Sequence, residues 1–184
     1  MVLRPVSRTA GVLAVSACLT GGICAPGPGP LVPPPDTRCD SAGAAPPTGA
    51  AVIPGAFMDD DFRRLMNGVE REYEYGPQGG QHIYVDVRAY LPEISSSDRI
   101  FSVRMDLTDE TRDEMIGERD LPVNTTCAPG WVSIERAIVF VYEIPRGPAA
   151  RTLTLSLNEV DRSEGRILET IATSSVTVTI TEPR

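Results

Sequence analysis

Residues 81–91, Gln81-His82-Ile83-Tyr84-Val85-Asp86-Val87-Arg88-Ala89-Tyr90-Leu91, alternate without a break between apolar and polar side chains. Ile83, Val85, Val87, Ala89 and Leu91 share one face; His82, Tyr84, Asp86, Arg88 and Tyr90 share the other. A period of two is the signature of a strand with one face in a core. Phe101, Val103, Met105 and Leu107 repeat it, as do Leu153, Leu155 and Leu157, and then Val176, Val178 and Ile180. The run from Ile134 to Ile144 is apolar almost throughout, which suits a central strand, with Glu135-Arg136 as the place for a bulge. Six to eight short antiparallel strands with no βαβ alternation predict an all-β fold, an immunoglobulin-like antiparallel β-sandwich over residues 57–184.

Before the first strand, residues 58–67 offer two readings. Asp59 to Asp61 could cap a helical turn bearing Phe62, Leu65 and Met66, whereas Asn67-Gly68 is a type I′ hairpin signal. The alternation of Val69 to Tyr75 favours the hairpin. Setting Glu74 opposite His82, Glu72 opposite Tyr84 and Glu70 opposite Asp86 assigns Val69, Tyr73 and Tyr75 to the core, and makes Glu74 a cross-strand partner of His82.

Residues 18–56 are built from Pro, Gly, Ala, Ser and Thr, including Pro-Gly-Pro-Gly-Pro at 26–30 and three prolines at 33–35. Such a segment has little apolar surface to offset the entropy of ordering it and reads as a disordered Pro-rich tether. Ahead of it, residues 1–17 carry Arg4 and Arg8, then a short apolar run from Ala10 to Ala17, and then Cys18. That order reads as a signal peptide too short to span a bilayer. The junction Val15-Ser16-Ala17-Cys18 resembles the lipobox of bacterial lipoproteins. The resemblance implies lipidation at Cys18 and a membrane partner through that anchor. Leu19 in place of Asp implies the outer membrane of the cell envelope.

The chain has 17 cationic residues, all arginine, against 25 carboxylates. Removing residues 1–17 takes away two of the arginines and leaves a formal charge of −10. Nucleic-acid backbones are held by clustered cations, so an acidic chain of this kind is no nucleic-acid binder. With Cys18 acylated, Cys24, Cys39 and Cys127 remain. Pairing of Cys39 with Cys127 or of Cys24 with Cys39 is open, and the spacing matches no zinc signature.

Gly76-Pro77-Gln78-Gly79-Gly80-Gln81-His82 is the most distinctive local motif, a tight Gly/Pro loop entering a strand. Over Phe62 to Arg88 the chain resembles a group of uncharacterised bacterial secreted proteins and lipoproteins that carry Gly-Pro-Gln-Gly-Gly-x-His there. The group has no assigned activity, so the resemblance implies a secreted β domain and no reaction. The loop residues Gly76, Pro77, Gln78, Gly79 and Gly80, with His82, Tyr84 and Arg88 of the polar stripe, form the candidate binding face, Tyr and Arg being common interface anchors.

His82 is the only histidine. It is expected as a turn-side residue; the rival assignment joins it to Met105, Met115, Cys127 or carboxylates as a soft metal site. No catalytic residues and no cofactor are expected. Serine and cysteine lack a nucleophile elbow, and carboxylate runs such as Asp113-Glu114 have no sugar-binding aromatics beside them. The acidic stretch 106–118 could offer oxygens to Ca²⁺ but lacks the regular spacing. The expectation is therefore an envelope lipoprotein displaying a non-catalytic β-sandwich with a binding or structural role, an envelope protein being its candidate partner. The alternatives are a periplasmic metal or small-ligand binder using His82, and an enzyme with an unrecognised site.

Overall fold

The strand β6, Gln81–Leu91, forms as its alternation requires, and the rest of the sandwich is arranged about it. The computed structural model describes residues 36–40, 44–59, 61–76, 80–143 and 147–183. Cys18, Cys24, the signal segment 1–17 and the loop residues Pro77, Gln78 and Gly79 lie outside the described residues.

Among the described residues eleven strands occur in chain order: β1 Asp36–Asp40, β2 Ala51–Met58, β3 Asp61–Arg64, β4 Val69–Glu72, β5 Glu74–Tyr75, β6, β7 Arg99–Asp109, β8 Glu114–Val123, β9 Gly130–Val141, β10 Ala149–Asp161 and β11 Ile167–Thr181. One sheet has the order β1-β9-β6-β2-β3, with β5 also on β6; the other runs β4-β11-β10-β7-β8. The two sheets face each other as a β-sandwich. Its core is the set of alternating positions read from the sequence, Ile83 to Leu91, Phe101 to Leu107, Leu153 to Leu157 and Val176 to Ile180, all buried. Each such side chain contributes on the order of 2 kcal/mol by leaving water.

Three expectations are corrected, and the choice between the two readings of residues 58–67 is decided. The strands number eleven rather than six to eight, and several exceed ten residues. Strands already occur inside the stretch read as tether, since β1 and β2 both lie within residues 18–56, so the domain begins before residue 57. Residues 61–64 are strand β3, paired with β2, and no helix forms there. Finally, β3 and β4 do not make a hairpin: β4 leaves the first sheet and runs parallel to β11 in the second, so Glu70 and Glu72 never face Asp86 and Tyr84. Gly68 has φ of 82° while Asn67 stays at negative φ, which a type I′ turn does not allow. Asn67 Oδ1 instead accepts the Thr177 amide at 3.0 Å and Gly68 donates to the Thr177 carbonyl at 2.8 Å. Those two bonds carry the chain across to β11. Tyr73 is buried at the crossing, as expected, whereas Tyr75 is exposed.

The opposite side of the sandwich is closed by β8 leaning on β9. The Tyr142 amide donates to the Ile116 carbonyl at 2.7 Å, and at Gly117 an added Cβ would overlap the Phe140 carbonyl oxygen. Backbone cannot retreat as a side-chain tip can. Gly117→Ala is expected to destabilise by about 3 kcal/mol, read as a lower urea midpoint; an unchanged midpoint would refute the contact.

Between β7 and β8 the acidic stretch is internally neutralised. Arg112 pairs with Asp109 and Glu143 at 2.8 Å each, Arg151 with Asp109 at 3.2 Å, and Arg104 with Asp106 and Glu118. These arginines occupy carboxylates that a Ca²⁺ ion would have needed. Hydrogen bonds from the Thr111 hydroxyl and then from Arg112 hold the Asp109 carboxyl at about 2, against an ordinary 3.8. A depressed carboxylate pKa stabilises the fold above the unfolded value and ceases to do so as pH falls through the folded one. The melting-temperature gap between wild type and Asp109→Asn is therefore expected to be widest above about pH 4 and to close towards pH 2. A gap of constant width from pH 7 to pH 2 would contradict this.

Candidate functional site

The even-numbered side chains of β6 point away from the core, but they do not form one open stripe. At its C-terminal end the face is filled from within. Arg88 Nε lies 3.0 Å from Asp40 Oδ2, and its guanidinium stacks over Trp131 at 4.8 Å. Tyr90 meets the same ring edge-on at 5.3 Å, and the Trp131 indole donates to the Ala44 carbonyl at 3.2 Å. Ser133 donates to Asp40 and is itself buried. Asp40 arrives on β1, next to the Cys39–Cys127 disulfide that ties β1 to the segment leading into β9. This end ties β1 to β6 and β9 through Asp40. Arg88, expected on the binding face, is committed to holding β1.

At the N-terminal end His82 is 5% exposed rather than solvent-facing. The Gly76 amide donates to the Gly80 carbonyl at 2.7 Å, closing the loop, and Gly76 stands over the imidazole so closely that a Cβ would lie 3.6 Å from Nδ1. The Tyr84 ring packs on the imidazole edge at 5.0 Å. Glu74 and His82 are cross-strand neighbours as the register argument required, yet no ion pair joins them. Of the soft partners named for a metal, Met105 is buried in the core, the Cys127 sulfur is in the disulfide and Met115 is exposed. Among the described residues no group of three His, Cys, Asp or Glu is placed to hold an ion. His82 lies beneath Gly76, with its Nε2 buried and without a hydrogen-bond partner among the described residues.

Between these ends the sheet is interrupted. One edge of β6 pairs with β5 at Gln81 and His82 and with β2 from Asp86 to Tyr90, and residues 83–85 lie in the gap. The gap arises because the chain has crossed to the other sheet and back: β4 belongs to β11, and only two residues of β5 return to β6. A cavity of about 300 Å³ opens there, bounded by Gly55, Arg71, Glu74, Tyr84, Asp86 and Arg136. It continues into a shallower hollow of about 470 Å³ along Glu70, Glu72 and Glu74, sharing Arg71, Glu74 and Tyr84.

Asp86 organises this groove. The bulge expected at Glu135-Arg136 forms, with Val85 opposite Ala137 and Val87 opposite Ile134, so two residues of β9 answer one of β6. Arg136 adopts φ of 53° there, and its amide donates to Asp86 Oδ1 at 2.6 Å. The Phe57 amide, at the end of β2, donates to Asp86 Oδ2 at 2.7 Å. One carboxylate thus joins three strands. The bulge also re-aims Arg136, whose guanidinium lies over the Tyr84 ring at 4.6 Å. Arg71 enters from β4, half-buried, with Nε inaccessible and without a hydrogen-bond partner. Burial pushes its pKa down, and the nearby Asp86 charge opposes that shift.

Of the candidate face, then, the structure keeps Tyr84 and the edge of the Gly76–Gly80 loop, commits Arg88 elsewhere and covers His82. It adds Arg71, Arg136 and Glu74. Arg136 was legible as a bulge residue but not as a site residue, and Arg71 carried no signal, because its strand was assigned to the wrong sheet.

No family model matches the chain, and no curated protein matches it. Two solved structures are similar to it at 9% identity. They are the N-terminal domain of PorA, with a TM-score of 0.29 over 71% of this chain and 96% of that one, and the CooA pilin subunit from enterotoxigenic Escherichia coli, with a TM-score of 0.27 over 72% and 99%. Likeness at that level carries no argument about this chain.

Proposed function

We propose that the chain is a lipid-anchored, non-catalytic β-sandwich held at the cell envelope, at the outer membrane, where it serves as a binding module. The observation that supports the location is the Cys39–Cys127 disulfide, which closes an interval of 88 residues and stitches the strand nearest the anchor into the sheet. Such bonds persist in oxidising compartments outside the cytoplasm. Cys18 then supplies the membrane attachment, since two or more acyl chains hold a protein on a bilayer without a spanning segment. The sandwich is displayed on the spacer that precedes β1.

The test is expression of the whole chain in a Gram-negative host with labelled palmitate. The label and the protein are expected together in the outer-membrane fraction, and Cys18→Ala is expected to abolish labelling and abolish recovery there. Recovery of Cys18→Ala in the same fraction, or an unlabelled wild type, would refute the anchor.

A further inference from the structure

We propose that the groove at the gap in β6 binds a carboxylate that carries a positively charged group nearby, gripping the carboxylate between Arg71 and Arg136. This rests on the binding role given above but not on the lipid anchor.

Charge balance is the first argument. Among the described residues several arginines of this acidic chain find carboxylates, such as Arg38 with Glu135, Arg88 with Asp40, Arg99 with Glu159 and Arg112 with Asp109, while Arg63, Arg64, Arg119 and Arg162 form no ion pair and line no cavity with a second unpaired arginine. Among the described residues neither Arg71 nor Arg136 has an ion-pair partner, and both line one cavity. Asp86 beside them has turned its two oxygens to backbone amides. The lining sets two guanidiniums against the carboxylates of Asp86 and Glu74, and a ligand carrying both charges matches that alternation with no net charge to compensate.

The second argument is the state of Arg71. Its Nε–H is shut away from water with nothing to donate to, which costs about 1–3 kcal/mol per buried unsatisfied group. That atom is closed to a ligand as it is to water, so an anion in the cavity would meet the terminal nitrogens of the same guanidinium. Guanidinium matches the two oxygens of a carboxylate in a forked geometry, and Arg136 is already oriented by its stack on Tyr84.

The outer part of the groove selects the ligand. Glu74 is exposed without an ion-pair partner among the described residues, and Glu70 and Glu72 lie along the same hollow. That wall repels phosphates and polyanions and favours an ammonium or guanidinium group on a ligand whose carboxylate is seated inside. A cavity of about 300 Å³ accepts an amino-acid-sized group. The chemistry is that of a free basic amino acid or of a peptide ending in one.

The test is NMR titration of the full-length chain, isotope-labelled and produced without lipid, with lysine, glycyl-lysine, lysinamide and inorganic phosphate. Lysine or glycyl-lysine is expected to shift the Arg71 and Arg136 Nε–H signals and the Glu74 and Tyr84 amides together, and the tighter of the two identifies the source. Lysinamide, which lacks the carboxylate, is expected to bind at least about tenfold more weakly, phosphate likewise, and Arg136→Gln to weaken lysine binding by about tenfold. Arg136 is exposed, so its loss leaves the fold intact even where Arg71→Gln destabilises. Equal binding of lysinamide, an unaffected Arg136→Gln, or no saturable shift from lysine and glycyl-lysine would each overturn the proposal. The anchor assay is independent of all of these outcomes.

Discussion

Serine at both Cys39 and Cys127 is expected to lower the stability of the sandwich by about 4–5 kcal/mol, more than either Gly117→Ala or the loss of the Asp86 carboxylate. The interval the bond closes is 88 residues, and the entropy that cross-linking removes from the unfolded chain grows with the logarithm of that length. A loss of this size is a large part of the roughly 5–15 kcal/mol that holds a typical domain together. The native state changes as well. β1 has five residues, pairs with β9 alone, and carries Asp40, the partner of Arg88 and Ser133. Without the bond that edge is held by a short ladder and the Arg38–Glu135 and Arg88–Asp40 ion pairs, so amide exchange at Arg38 and Cys39 is expected to accelerate more than exchange at Val85 or Leu155. Urea unfolding of the double variant measures the first effect and hydrogen exchange the second. A midpoint equal to that of wild type would show that the bond adds nothing to the fold.

Asp86→Ala is expected to cost about 3 kcal/mol and to empty the groove of its organisation. Hydrogen bonds to a charged acceptor contribute about 1.5–3 kcal/mol each, and the carboxylate accepts two, from Phe57 on the β2 side and from Arg136 in the β9 bulge. The Arg136 amide lies near solvent and regains water in part, which places the sum towards the lower end. Asparagine is a sharper probe than alanine. Its single oxygen serves one of the two amides while its NH₂ is turned against the other, so Asp86→Asn is expected to recover less than half of the loss. Thermal unfolding ranks the three proteins, and equal stability of Asp86→Asn and wild type would refute the two-amide arrangement. With the bulge no longer pinned, the stack of Arg136 on Tyr84 is expected to loosen, and lysine binding to fall with it.

Much of the fold was readable because a strand with one wet face prints its geometry into the sequence. Ile83 to Leu91, Phe101 to Leu107 and Val176 to Ile180 alternate, and all are core. The bulge at Glu135-Arg136 was visible as the one charged pair within an apolar run, and the pairing of Glu74 with His82 followed from keeping glutamates out of the core. β2 was missed because Pro54 and Gly55 sit within Ala51–Met58 and resemble the spacer before it. Pro54 has no amide hydrogen to donate to the ladder, but its carbonyl accepts the Leu65 amide at 2.9 Å. The polar stripe misled at both ends, because a period of two says which way a side chain leaves the strand and nothing about what covers it. Gly76 covers His82; Asp40 and Trp131 occupy Arg88.

By itself the sequence determined the all-β class, the core set and the acidic surface, since these depend on composition and on neighbours two residues apart. Only the tertiary structure decided to which sheet β4 belongs, which cysteine pairs with Cys39, and that Arg71 and Arg136 meet across a gap in β6. Those outcomes hang on residues far apart in the chain, such as Asn67 bonded to Thr177 and Arg71 and Arg136 lining one cavity, and local periodicity has no term for them.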